Sequence, residues 1–363
     1  MTLWIVAIAA ACSAGLSLLL TPLCARLARG VGLIDLPGGH KAHGRAVPLA
    51  GGLAMLGAFL IPAAAALLAV QWLGRGQAPP WLPDALAVHL PGALARAPLA
   101  VALLGGAVAM ASLGLVDDIR AFGAVTKLLG ELVVLVACVG MVPQLRVLTV
   151  LGEPYSAIAT VLWMLVITNA FNFLDNMDGL SAGVAAIVGA GLLASSLRLG
   201  QVFVPAGLAM LIGSLVGFLP YNFHPARSFM GDAGSLVIGF LLGAFSCLTT
   251  YVEPGEPFYR YGIFLPVVLM AIPLYDTVSV VLLRVRAGQN PMVGDRRHFS
   301  HRLVRRGMTV PKAVTTIYLC TAATALGAVL LPKMDNVGAA VIFVQTLLIL
   351  LVVALLESGE ARS

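Results

Sequence analysis

Apolar residues in this sequence gather into stretches of about 20, the length at which a helix crosses a bilayer. Eleven such stretches follow one another, at roughly 3–25, 49–72, 98–116, 124–142, 157–174, 180–197, 202–219, 234–250, 262–283, 312–331 and 337–356. In hydrocarbon each segment must satisfy its own backbone groups, which makes helices of these runs. The fold expected is therefore an all-α polytopic integral membrane protein of about eleven transmembrane helices, one integral domain over 1–363. Only 10% of the residues are charged and 60% are hydrophobic, which excludes a soluble globular domain.

The basic residues orient these spans. Sixteen of the 22 Lys and Arg residues fall in the loops of one side and 6 in those of the other. The positive-inside rule makes the richer side cytoplasmic, with the N-terminus outside and the C-terminus inside. No Lys or Arg precedes the first apolar run and Arg26 follows it, so it reads as a retained span rather than a secretory signal. The five cysteines show no spacing of a metal site and read as packing residues. The net charge of +6 suits anionic headgroups or a phosphate-bearing substrate, and membrane anchoring explains it equally well.

The stretch from Asn169 to Leu180 carries five amide or carboxylate side chains, Asn169, Asn172, Asp175, Asn176 and Asp178, at the end of the fifth apolar run. Polar groups are costly there and mark a functional site. Residues three apart lag one helical turn by about 60° per step. On a straight helix Asn169 and Asp178 would face opposite ways, so a shared site requires the helix to end near Asp175, where Gly179 helps. The third run ends in Asp117-Asp118-Ile-Arg120, with Lys127 following. Adjacent carboxylates repel unless a cation or basic neighbours offset them, a pattern suited to a metal-diphosphate site or a general base. Asp232 lies between Gly231 and Gly234 before the eighth run, a setting suited to Mg²⁺ or to capping a helix. Nearby Phe229 could stack on a planar base or pack against lipid.

The first loop holds Lys41, His43 and Arg45 among glycines and prolines, a compact turn with donors for phosphate. The ninth run contains Pro273, Asp276 and Arg284, and the arginine-rich loop after it carries His298, His301 and Arg302. The acids and amides of these motifs all fall on the cytoplasmic face of a topology set by basic residues, whereas the outer acids stand in separate loops.

From about Asp35 to Arg306 the sequence resembles the polyprenyl-phosphate N-acetylhexosamine-1-phosphate transferases, on the bacterial GlcNAc-1-phosphate transferase (WecA-like) side of the family shared with the MraY translocases. The resemblance implies transfer of a sugar 1-phosphate from a cytosolic UDP-sugar to undecaprenyl phosphate, with release of UMP, at the bacterial inner membrane. It implies Mg²⁺ as cofactor, leaving open whether Mn²⁺ can replace it, and no nucleic-acid partner, and leaves room for a homodimer. Asp117, Asp118, Asp175, Asp178, His298 and His301 match catalytic positions. Lys41, His43, Lys127, Asn169, Asn172, Phe229 and Arg302 match substrate-binding ones, while Asp232 and Asn172 match metal ligands. Ser300 stands where relatives of this branch commonly carry a further histidine, and His40-Lys41 replaces a common Arg-Lys, which bears on the sugar taken more than on the reaction. The absence of a three-histidine run argues against the muramyl-pentapeptide branch. The rival from another class is a secondary transporter, which would place acids deep in spans on both sides of the membrane centre, yet Glu131 is the one clear case.

Overall fold

A computed structural model describes residues 2–36, 46–75, 79–80, 82–198, 201–251, 260–289 and 297–358. Lys41 and His43 lie outside the described residues. Among the described residues the fold is all-α apart from one short ribbon. Helix α1 (Thr2–Gly30) leads into strands β1 (Ile34–Asp35) and β2 (Val47–Pro48), then α2 (Gly51–Leu73) and two short helices, α3 (Asp84–Ala87) and α4 (Leu90–Ala95). There follow α5 (Ala97–Arg120), α6 (Ala124–Met141), α7 (Tyr155–Leu174), α8 (Leu180–Leu197), α9 (Phe203–Asn222) and α10 (Asp232–Leu248). The last five helices are α11 (Leu265–Leu269), α12 (Ala271–Arg286), α13 (Phe299–Arg305), α14 (Val310–Leu330) and α15 (Asn336–Ser358).

Among the described residues nine helices are long and apolar enough to cross a membrane, and a bent pair can supply a tenth crossing. The protein is thus a multi-pass membrane protein. All eleven apolar runs are helical, but two depart from simple spans. The ninth run is broken between α11 and α12, which meet at 65°. Proline explains the break, since Pro273 has no N–H to offer the Leu269 carbonyl one turn back. The eighth run forms α10, only 17 residues long and buried on nearly every face. A helix apolar all round belongs inside a bundle. It packs against α5 and α7 and carries Asp232 at its first position. Close approach is built in: a Cβ on Gly114 of α5 would lie 2.3 Å from the Asp232 carbonyl oxygen.

The ribbon fixes the entry to α2. Ile34 pairs with Pro48 and Asp35 with Val47 in antiparallel register. Past it, Phe229 donates its N–H to the Pro48 carbonyl at 3.0 Å, while Gly51 and Gly52 donate to the carbonyls of Phe229 and Met230 at 2.9 and 3.0 Å. The start of α2 and the segment before α10 are therefore tied backbone to backbone.

Candidate active site

Four helix ends contribute one cluster: the C-termini of α5 and α7 and the N-termini of α6 and α10. Lys127, in the first turn of α6, sits at its centre. Its ammonium lies 2.5 Å from Asp232 Oδ2, 3.0 Å from Asn172 Oδ1 and 3.1 Å from Asp117 Oδ2. Asn172 turns its amide nitrogen to α10, donating to Asp232 Oδ1 at 2.7 Å and to Ser235 Oγ at 2.8 Å. Asp117 also accepts the Phe122 N–H at 2.5 Å, which folds the α5–α6 turn back on itself.

The adjacent aspartates have different work. Asp118 accepts the backbone N–H groups of Asp232 at 2.9 Å and Ala233 at 3.2 Å, two amides that α10 cannot satisfy internally. It caps a helix from another helix and so sets where Asp232 starts. Gly231 makes room: its φ is +69°, and a Cβ there would lie 2.6 Å from Asp118 Oδ2. The repulsion expected of the pair is offset by Lys127 on Asp117 and by backbone dipoles on Asp118.

The oxygens of Asp117, Asn172 and Asp232 gathered about a cationic nitrogen form a hard-oxygen set that fits a divalent cation such as Mg²⁺. Among the described residues no three His, Cys, Asp or Glu side chains converge as a complete cage. Mg²⁺ sites commonly take one or two carboxylates and complete their shell with substrate phosphates and water.

Helix α7 ends at Leu174, where a site shared by Asn169 and Asp178 would need it to end, and Gly179 at φ +75° opens α8, although Asn169 and Asp178 bond to separate partners, Glu131 and His224. The turn between them is braced by Asn176, which donates to the Phe173 carbonyl at 2.7 Å, and by the Gly179 N–H on Asn222 Oδ1 at 3.0 Å. Asp175 stays partly accessible, yet burial, then the charges of Asp232, Asp118 and Asp178, raise its carboxyl well above the usual range. Asp178 looks toward the α9–α10 loop, accepting the Ala226 N–H at 3.1 Å and pairing with His224 Nδ1 at 2.8 Å. Asn169, one turn behind Asn172, gives its amide N–H to Glu131 Oε2 at 2.5 Å and to the Leu165 carbonyl. Phe229, partly exposed, lies in the segment bonded to β2.

A second group hangs on α13. His298 Nδ1 pairs with Asp276 Oδ2 at 2.8 Å, and the other oxygen of Asp276 accepts the Phe299 N–H at 2.9 Å. Both side chains are buried, at 6% and 0% exposure. The imidazole meets the Phe173 ring edge-on at 5.9 Å, and the Arg284 guanidinium lies 5.6 Å from the same ring. Ser300 donates to Asn176 Oδ1 at 2.5 Å, hooking α13 onto the turn after α7. Arg302 reaches Ser279 Oγ at 2.8 Å and Glu357 Oε2 at 3.0 Å, so α15 takes part in holding it. His301 is the next residue after Ser300 on α13 and is partly exposed.

Sequence reasoning left Asp276, Glu357 and Glu131 without roles. Asp276 and Glu131 each had a signal, a carboxylate inside an apolar run. Glu357 had none, since an acid at the end of a final span is ordinary.

The profile of glycosyl transferase family 4 matches residues 100–250, which include every member of the Lys127 cluster. The decaprenyl-phosphate N-acetylglucosaminephosphotransferase of Mycolicibacterium smegmatis is 34% identical over 330 residues, covering 83% of this chain and 76% of that protein. The probable undecaprenyl-phosphate N-acetylglucosaminyl 1-phosphate transferase of Bacillus subtilis is 29% identical over 309 residues, with 83% and 78% covered. The phospho-N-acetylmuramoyl-pentapeptide-transferase of Desulforudis audaxviator is 36% identical over a shorter 217 residues, with 53% and 60% covered.

Proposed function

The chain belongs to glycosyl transferase family 4, and on that premise we propose that it transfers N-acetylglucosamine 1-phosphate from UDP-GlcNAc to a polyprenyl phosphate. The product is a lipid-linked diphosphate sugar that begins a cell-surface glycan, and UMP leaves. The observation that carries this reading is the ammonium of Lys127 ringed by Asp117, Asn172 and Asp232 at the ends of four helices. Such a set handles phosphate and its counter-cation. The bias of basic residues toward the loops of that end favours the cytosolic face of the bacterial inner membrane.

In the reaction an oxygen of the lipid phosphate bonds to the β-phosphorus of the UDP-sugar. The bond from that phosphorus to the bridging oxygen breaks, and the oxygen departs with UMP. Phosphoryl transfer asks a protein mainly for positioning and charge neutralisation. Asp232 and Asn172, with Asp117 beside them, would hold Mg²⁺, which when bound neutralises charge on the diphosphate. Lys127 would keep a positive charge beside the lipid phosphate. Asp118 keeps Asp232 in place through the α10 amides, Asp276 orients the His298 imidazole by accepting from its Nδ1, and Arg302 presents donors to the sugar diphosphate. A phosphate monoester with a second pKa of about 6 is mostly ionised at neutral pH, so a general base adds little.

Purified protein in detergent, given undecaprenyl phosphate and a panel of radiolabelled UDP-sugars, tests this. Labelled lipid from UDP-GlcNAc is expected with Mg²⁺, and none with EDTA or with Asp232→Ala. Product from a different sugar only would reassign the donor. No product with any UDP-sugar, from folded protein, would overturn the reading. Trapping of a labelled phosphoaspartate after a single turnover would replace direct attack by a covalent route.

A further inference from the structure

Two features near Lys127 are left over by this mechanism. The first is where the ammonium lies. It occupies the middle of the oxygen set that suits a divalent cation, with Asp232, Asn172 and Asp117 all within 3.1 Å. An ammonium and a dication repel strongly at such separations. When the cation binds those oxygens, Lys127 has to give them up.

The second feature is Glu131. It is fully buried in α6, at 0% exposure. It lies four residues beyond Lys127, one turn along the same helix face, a spacing at which lysine and glutamate side chains meet. Asn169 holds one carboxylate oxygen, Oε2, at 2.5 Å. The other, Oε1, is buried without a hydrogen-bond partner. A buried acceptor left without a donor is costly, and a carboxylate inside a span is costlier still. Such a group persists where it has a use.

We propose that Glu131 is a positioning residue that receives the Lys127 ammonium when a divalent cation occupies the Asp232–Asn172–Asp117 set. Lys127 then has two stations joined by a change of rotamer. Without the cation it bonds to Asp117, Asp232 and Asn172. With the cation it withdraws one turn to Glu131 Oε1, the oxygen that Asn169 leaves open. Glu131 thereby keeps the lysine's charge beside the site and lowers the cost of cation entry. The inference rests on the metal-assisted reading of the proposed function and gives a role to an acid that the reaction itself does not use.

The test is Mn²⁺ binding to the full chain in detergent, without nucleotide or lipid, followed by the electron paramagnetic resonance signal of free Mn²⁺. Wild type, Glu131→Gln, Lys127→Met and the double variant are compared, with thermal unfolding in EDTA to confirm that each is folded. Glu131→Gln is expected to weaken binding by at least about fivefold, within the coupling range of contacting groups. Lys127→Met should tighten it by removing the competing ammonium. In the Lys127→Met background, Glu131→Gln should change affinity by less than about twofold, because no ammonium remains to be received. Where the amide variant does not fold, Glu131→Asp withdraws the carboxylate by one methylene and should give a smaller loss with the same dependence on Lys127.

Equal affinity for wild type and Glu131→Gln overturns the proposal. So does an equal loss in both backgrounds, since Glu131 would then act on the cation directly. Transfer activity is read in parallel from labelled lipid. A wild type that binds Mn²⁺ and transfers sugar phosphate while the variants show no such pattern refutes only this inference. A wild type that binds no Mn²⁺ refutes it together with the metal part of the proposed function.

Discussion

The Lys127 cluster and the His298 group use the same kinds of side chain but differ in what holds them. Around Lys127 the partners are one another: Asp117, Asn172 and Asp232 come from three helices and converge on a single ammonium. Around His298 the partners are fixed parts of the scaffold, with the imidazole on buried Asp276 and the Arg302 guanidinium on Ser279 and Glu357. Groups that satisfy each other can be redistributed when a ligand brings new charge. Groups tied to buried scaffold are aimed before the ligand arrives, as transition-state stabilisation requires. Under the proposed function, the first region exchanges partners and the second holds still.

That contrast can be broken most forcefully at Asp232. Asp232→Asn keeps the volume and removes the charge, and a loss of about 10³-fold in transfer rate is expected with the fold intact, judged by initial rates and thermal unfolding. At the other region Asp276→Asn leaves His298 without its carboxylate. The expected loss is about 10²-fold, carried by kcat rather than KM, because the imidazole is misaimed while the binding surface remains. A KM effect alone would say that the His298 group only grips substrate.

Asp118→Ala sharpens the separation of the twin aspartates. It strips the cap from two α10 amides and should cost about 1–2 kcal/mol of stability, seen as a lower unfolding midpoint, along with activity. Ser300→Ala unhooks α13 from Asn176 and should cost about 1 kcal/mol or less, with under about tenfold loss of rate. Asp175 gives the smallest effect and a sign that pH reveals. Its folded carboxyl is raised by burial first and then by neighbouring carboxylates. The neutral form is therefore favoured by folding, and the stability this contributes is present below the ordinary carboxylate range and lost as pH rises through the raised value. Measured in EDTA, Asp175→Asn should unfold at a higher temperature than wild type at neutral pH, with the difference closing in acid.

The sequence made the helical membrane architecture legible because length and apolarity of a run are sufficient for it. They were insufficient to show that the eighth run, α10, would be only 17 residues long and enclosed by its neighbours, or to foresee the bend between α11 and α12, although Pro273 was there to suggest it. Within the site, the break of α7 near Asp175 was expected on the condition that Asn169 and Asp178 share a site, with Gly179 to help it, and the helix does end there. The division of labour between Asp117 and Asp118 was not expected, because it depends on which of two neighbouring carboxylates reaches the amides of a helix more than a hundred residues away. Asp276 and Glu357 escaped for the same reason: their partners His298 and Arg302 are distant in sequence, and only packing brings them together.

The most direct test of the central claim is the fate of the β-phosphate of UDP-GlcNAc. With that phosphate labelled by ³²P and undecaprenyl phosphate as acceptor, the label should enter the lipid fraction together with the sugar, matched by release of UMP. Label that stays in water as UDP while the sugar moves to lipid would contradict the account, since the chemistry would then be glycosyl transfer and not transfer of a sugar phosphate.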